Sequence, residues 1–191
     1  MTIKIRNRIT NEIIFSSNTN NLKDAIYEAI KKKINLHYAN LKNSNLSRIN
    51  LEDVDLENVD LEGANLRESC FWGANLKNSN LKNVDFNQAY LYETNFTKAN
   101  LENSDLRSAT LKKSILENAN LNNAKVWGAD FREAKLENAI LTNIKDIDGI
   151  LTKDIKETNY EWTTHLQFAN KLQVSQNPDS TPILERTMNY E

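Results

Sequence analysis

The most regular feature of the chain is a large apolar residue at every fifth position from Leu36 to Leu141. Of these 22 central residues, 17 are leucine, four are phenylalanine and one is Val126. Two positions before each central residue lies a second candidate for the interior, which is Ala, Ser or Thr in 17 of the 22 cases. Because an α-helix repeats every 3.6 residues and a strand every two, a period of five predicts neither as a regular element.

The polar positions of the repeat indicate what replaces those elements. The residue directly before each central residue is Asn or Asp in 15 of 22 cases. Both residue types tolerate turns and hydrogen-bond to the local backbone. Two inward residues spaced two apart, then two polar residues, predict a short extended segment followed by a turn. A chain of such units winds into coils, which bury their apolar interiors by stacking on one another.

The unit is plainest as Ala-Asn-Leu at 39–41, 64–66, 74–76 and 99–101, and it resembles the pentapeptide repeat family, whose motif is A(D/N)LXX. The resemblance covers residues 34–143, which is 110 of the 191 residues. It implies an all-β solenoid, a right-handed quadrilateral β-helix with four pentapeptides in each coil. At roughly 4.8 Å between stacked strands, the 22 units would give about 5.5 coils and a rod about 26 Å long.

The flanks have different patterns and are predicted to cap the rod. Residues 1–33 are expected to form a β-hairpin and an α-helix that begins after Asn21 and buries Leu22, Ala25, Ile26 and Ala29. Beyond the repeats, residues 144–173 are expected to close one more turn and form a helix. The helical face of Trp162, Leu166 and Leu172 predicts either a lid or a homodimer contact. Residues 174–191 read as a flexible tail.

Composition excludes several classes of protein. The chain has 24 Lys and Arg against 26 Asp and Glu, a net charge of −2, which excludes a strongly basic nucleic-acid binder. One cysteine and two histidines exclude a disulfide framework and a Cys/His metal centre. Since no catalytic motif is present, we expect neither an enzyme nor a cofactor. The sequence shows no targeting or membrane segment, which favours a cytoplasmic location.

A 20-residue coil assigns the outward residues to four faces, and one of these faces is anomalous. Its central residues include 51, 71, 91, 111 and 131, and we call it the Leu51 face. Cys70, Tyr90 and Thr110 replace Asn or Asp in consecutive coils of this face. Exposed aromatic residues are enriched at binding sites, although stacked aromatics also stabilise neighbouring strands. The predicted partner-binding residues are Cys70, Trp72, Tyr90, Tyr92, Lys112 and Arg132.

A second candidate surface is an acidic belt around one coil. Six carboxylates fall within residues 49–66, with no Lys or Arg among them. The belt is either a solvated polar surface or a docking site for a basic partner. Its members are Glu52, Asp53, Asp55, Glu57, Asp60 and Glu62.

The leading functional hypothesis is a non-enzymatic protein-interaction scaffold, of the kind that phages and mobile elements encode, with an unidentified protein partner. We expect no direct binding to nucleic acid or membrane. Because some pentapeptide repeat proteins resemble duplex DNA, one alternative is a DNA mimic that regulates or protects DNA gyrase or another DNA-binding protein. Residues 34–143 carry 15 acidic and 12 basic residues, a net −3, where a DNA-like rod of that length needs on the order of 15 negative charges. A structural rod without a specific ligand is the other alternative.

Overall fold

The computed structural model describes residues 2–152 of the chain. It opens with two strands, β1 (Ile3–Asn7) and β2 (Ile13–Ser17), which form an antiparallel hairpin. The helix α1 (Leu22–Lys31) follows, and then the short strand β3 (Ala39–Asn40). β3 pairs antiparallel with β1, which gives a three-stranded sheet of order β2-β1-β3. The sheet therefore joins the hairpin to the first unit of the repeat.

Local sequence explains where α1 begins and what it covers. The side chain of Asn21 accepts a hydrogen bond from the backbone N–H of Asp24 at 2.9 Å, as a good N-cap does. Ala25, Ile26 and Ala29 are completely buried. They belong to the same apolar cluster as Ile5, Phe15 and the central residues of the repeat. The hairpin, the helix and the repeat thus share one core.

From Asn40 onwards, the chain is a stack of coils that each contain 20 residues. Parallel β-bridges link the residue before each central residue to the one 20 positions later, from Asn40 and Asp60 to Lys125 and Lys145. Backbone hydrogen bonds join the same levels, as between the Leu81 N–H and the Asn100 carbonyl at 2.8 Å. Four five-residue units therefore make one turn of a β-solenoid.

The 22 central residues fill the interior of the stack. None of them is more than 3% exposed. The rings of Phe71 and Phe86 meet edge to face at 5.6 Å between centroids, and those of Phe86 and Phe96 do so at 6.1 Å. The small residues two positions earlier, such as Ala64 and Ala74, are also buried. Alternating large and small inward residues allows a narrow coil to be filled with side chains.

The corners of the coil are turns that need a left-handed residue. The second residue after every central residue has φ between 53° and 67°, and nine of these 22 residues are Asn while three are Gly. The Ala39 N–H donates to the Leu36 carbonyl at 3.1 Å across one such corner, as in a type II turn. At Gly73, an added Cβ would collide with Oδ1 of Asp53 in the coil before it. Close stacking therefore requires glycine there in addition to the positive φ.

The 20-residue register changes at the end of the described chain. Asp130 pairs with Leu151, which is 21 residues later, and the Phe131 N–H donates to the Leu151 carbonyl at 2.8 Å. One extra residue is accommodated after Lys145, where Asp146 replaces the expected leucine. The turn that closes at 149–151 is therefore shifted by one position from the pentapeptide register, and Thr152 is buried. The predicted C-terminal helix, its face of Trp162, Leu166 and Leu172, and the tail 174–191 lie outside the described residues.

Two searches of residues 2–152 were negative. No helix in this range is long and apolar enough to cross a lipid bilayer. The same range contains no group of His, Cys, Asp and Glu side chains placed to hold a metal ion.

Candidate partner-binding surface

The residue before each central residue has a local function that explains the preference for Asn and Asp. In all 15 cases, its side-chain oxygen accepts a hydrogen bond from the backbone N–H two residues later, at distances of 2.7 to 3.4 Å. This Asx turn stabilises the entry to each corner. The seven repeats with another residue in this slot lack the acceptor.

Three of those seven repeats lie in consecutive coils of the Leu51 face. Parallel bridges place Cys70 beside Tyr90, and Tyr90 beside Thr110. Within residues 2–152, the backbone N–H groups of Trp72, Tyr92 and Lys112 consequently have no hydrogen-bond acceptor. The Leu51 face thus presents a row of three backbone donors, one strand spacing apart, that the other coils satisfy internally.

An aromatic patch lies beside this row, and we define it as Trp72, Tyr90 and Tyr92. The rings of Trp72 and Tyr92 meet edge to face, with centroids 5.3 Å apart and planes at 83°. Trp72 is 49% exposed and Tyr90 is 59% exposed, whereas Tyr92 is partly buried. The structure therefore brings together the aromatic residues that the sequence assigned to one face, and two of them keep large apolar surfaces in contact with solvent.

The cations that were predicted to accompany the patch are held in ion pairs. Lys112 contacts Glu133 at 3.1 Å, and Arg132 contacts Asp130 at 2.7 Å. The sequence analysis missed Lys113, whose ammonium lies 5.3 Å from the centroid of the Tyr92 ring. A signal was available, because Lys113 is one coil beyond Glu93 in the same column. Cys70 is a partly buried free thiol next to Tyr90.

Trp127 provides an internal comparison for the aromatic patch. It is 53% exposed and lies on the neighbouring face, whose central residues include 46, 66, 86, 106 and 126. Its ring stacks on no other ring within residues 2–152. The chain therefore carries one exposed tryptophan inside an aromatic cluster and one outside it.

The acidic belt is largely neutralised by neighbouring coils. Lys42 contacts Asp60 at 3.4 Å and Glu62 at 2.9 Å, and Lys77 contacts Glu57 at 4.0 Å. His37 lies 2.8 Å from Asp55. Asp60 is also buried and accepts from the side-chain amide of Asn80 at 3.0 Å. Of the six carboxylates, only Glu52 and Asp53 have no cationic partner among residues 2–152.

Stacking creates these pairs, because residues 20 apart lie directly above one another. Five ion pairs have this spacing: Lys42–Glu62, Arg48–Glu68, Glu57–Lys77, Lys82–Glu102 and Glu93–Lys113. Hydrogen bonds from Lys42 and Asn80 lower the pKa of Glu62 below its ordinary value, and those from Arg48 lower the pKa of Glu68. The surface of the solenoid is therefore a set of charge-paired columns rather than a field of one sign.

Comparison with protein families was made on the same repeats. A family model described as pentapeptide repeats matches eight copies, over residues 34–73, 73–107 and 114–145. The chain belongs to the pentapeptide repeat family. The resemblance and the β-solenoid fold predicted from the sequence are thus confirmed. A search of curated proteins gives no match to this chain.

Solved structures of pentapeptide repeat proteins are similar to this one. A pentapeptide repeat protein (Rfr23) from the cyanobacterium Cyanothece 51142 is 25% identical, with a TM-score of 0.44 over 67% of this chain and 97% of that one. HetL from Nostoc sp. strain PCC 7120, involved in heterocyst differentiation regulation, is 20% identical, with a TM-score of 0.32 over 72% of this chain and 95% of that one. QnrB1, a plasmid-mediated fluoroquinolone resistance protein, is 20% identical, with a TM-score of 0.44 over 68% of this chain and 70% of that one.

Proposed function

We propose that this pentapeptide repeat protein is a non-enzymatic scaffold that binds a protein partner through the aromatic patch of the Leu51 face. The observation that carries the proposal is the exposure of Trp72 and Tyr90 at positions where the solenoid needs no aromatic side chain. The same positions in other coils hold Asn, Asp, Glu, Lys or Arg, and those coils stack equally well.

The energetics of aromatic side chains favour a binding role. Tyr and Trp that are half exposed retain apolar area that a partner can remove from water, and such anchors dominate the affinity of many interfaces. The row of backbone donors on Trp72, Tyr92 and Lys112 adds positions where acceptors of a partner can bind. Purely structural aromatics would satisfy the coil without leaving these donors open.

A double substitution, Trp72→Ala with Tyr92→Ala, tests the proposal. A desolvated aromatic anchor contributes about 2 kcal/mol or more, so the dissociation constant of the captured partner should rise at least about 30-fold. The matched control is Trp127→Ala, which removes an equally exposed tryptophan outside the patch. Circular dichroism checks that each variant is folded. Wild-type affinity in the folded double variant, or an equal loss in the control, would contradict the proposal.

The finer architecture is proposed together with the function. We infer a right-handed quadrilateral β-helix of about 5.5 coils, with residues 1–33 covering its first coil and residues 144–173 closing the other end. The 20-residue bridges and the core shared with α1 support this arrangement. A cytoplasmic location and a homodimer formed through the segment around Trp162, Leu166 and Leu172 are part of the same proposal.

The DNA-mimic alternative receives less support from the surface charges. A mimic needs unpaired negative charges along the rod, whereas four of the six carboxylates of the acidic belt lie against a lysine or histidine. The proposed scaffold function therefore relies on the aromatic patch and not on the acidic belt.

A further inference from the structure

We propose that in the free protein the aromatic patch is occupied by the C-terminal segment of the same chain, residues 174–184. The inference builds on the proposed function, because the segment and the partner would compete for one surface. Its starting point is the place where the described chain leaves the solenoid. Leu151 pairs with Asp130 and Phe131, so the chain leaves on the Leu51 face, the same face that carries the patch.

The distances allow the segment to reach the patch. Leu151 is three coils beyond Leu91 and four beyond Phe71. At about 4.8 Å per coil, these steps correspond to about 14 and about 19 Å. A flexible chain of the length of residues 153–174 has a root-mean-square end-to-end distance of about 26 Å, which is more than the span required. A tether of this length gives an effective concentration on the order of millimolar.

The chemistry of the segment complements that of the patch. Residues 177–182 read Asn-Pro-Asp-Ser-Thr-Pro, which places oxygen acceptors between two prolines. Proline-containing segments bind to clusters of aromatic rings, and here Trp72, Tyr90 and Tyr92 are available for such packing. The open N–H groups of Trp72, Tyr92 and Lys112 are donors for those acceptors. Residues 172–184 contain no Lys or Arg that would be repelled by Lys113.

Disulfide trapping in the full-length chain tests this inference. Cys70 is the only native cysteine and lies beside Tyr90, so Ser180→Cys adds a second thiol on the proposed occupant. The matched control combines Ser180→Cys with Cys70→Ser and Lys82→Cys, which moves the receiving thiol to the opposite side of the coil. Each rate of intramolecular disulfide formation, measured at low protein concentration, is divided by the rate of the receiving thiol with oxidised glutathione.

We expect the normalised rate to be at least tenfold higher for Cys70 than for the Lys82→Cys thiol. Adding Trp72→Ala and Tyr90→Ala to the Ser180→Cys chain should abolish that preference while the circular dichroism spectrum is unchanged. Equal normalised rates, or a preference that survives loss of the two aromatic rings, would overturn the inference. Disulfides between chains, with rates that increase with protein concentration, would assign the patch to a second copy and would also overturn it.

This test needs no partner, and its failure can be distinguished from failure of the proposed function. If the disulfide forms as expected but the partner binds the Trp72→Ala, Tyr92→Ala variant normally, the tail contact stands and the proposed function fails. If partner binding is lost in that variant but trapping shows no preference, the reverse holds.

Discussion

Truncation of a central leucine gives the clearest quantitative prediction for the fold. Leu81 is fully buried, and Leu61 and Leu101 lie in the coils on either side of it. Leu81→Ala removes three carbons, which is about 2.4 kcal/mol of transfer free energy at about 0.8 kcal/mol per methylene. Hydrogen-bonded backbone on both sides limits collapse around the cavity, so the total cost should be about 3–4 kcal/mol, within the range for buried leucines.

Urea denaturation followed by circular dichroism measures this cost. With a slope of about 2 kcal/mol per molar urea, the midpoint should fall by about 1.5–2 M and the slope should stay unchanged. Leu81→Met is the matched control, since it conserves volume and should cost less than about 1.5 kcal/mol. An alanine variant that loses no more stability than the methionine variant would refute the packed column of Leu61, Leu81 and Leu101.

Three further predictions concern the repeat surface and the ends. Asn100→Ala removes the acceptor for the Glu102 N–H and should cost about 1 kcal/mol in the same urea assay, whereas Lys125→Ala, in a slot that already lacks the acceptor, should cost less. The lowered pKa values of Glu62 and Glu68 mean that the unfolded chain binds more protons in acid, so the urea midpoint should fall as the pH drops below about 4.5; Glu62→Gln and Glu68→Gln should flatten this fall, and an unchanged slope would contradict the ion-pair columns. A chain ending at Thr158 should sediment as a monomer if the segment around Trp162 forms the homodimer, and an unchanged mass would exclude that interface.

Much of the fold follows from the sequence because the repeat couples local and global structure. A five-residue period with alternating inward side chains has few solutions other than a stack of coils. The 20-residue coil then places Trp72 next to Tyr92, and this contact could be predicted without coordinates. Asn and Asp were correctly associated with turns, because their side chains bond to the backbone two residues later.

The remaining features depend on details that a period cannot specify. The face-by-face charges did not predict that Lys42 bridges Asp60 and Glu62, because pairing depends on side-chain rotamers across two coils. Arg132 was expected to be available to a partner, but it folds back onto Asp130 in its own repeat. The extra residue after Lys145 was also not predicted, since Gly149 to Leu151 fit the sequence pattern in either register.

Site-specific photo-crosslinking tests the central claim, that the Leu51 face binds the partner, most directly. The photoreactive residue p-benzoylphenylalanine replaces Tyr90, or in the matched control Tyr38, which is 39% exposed on a different face. Both variants are expressed in the source organism and irradiated, and the products are analysed by mass spectrometry. The account predicts a cross-linked partner at position 90 and none at position 38. Equal capture of that partner at both positions, or capture only at position 38, would contradict it.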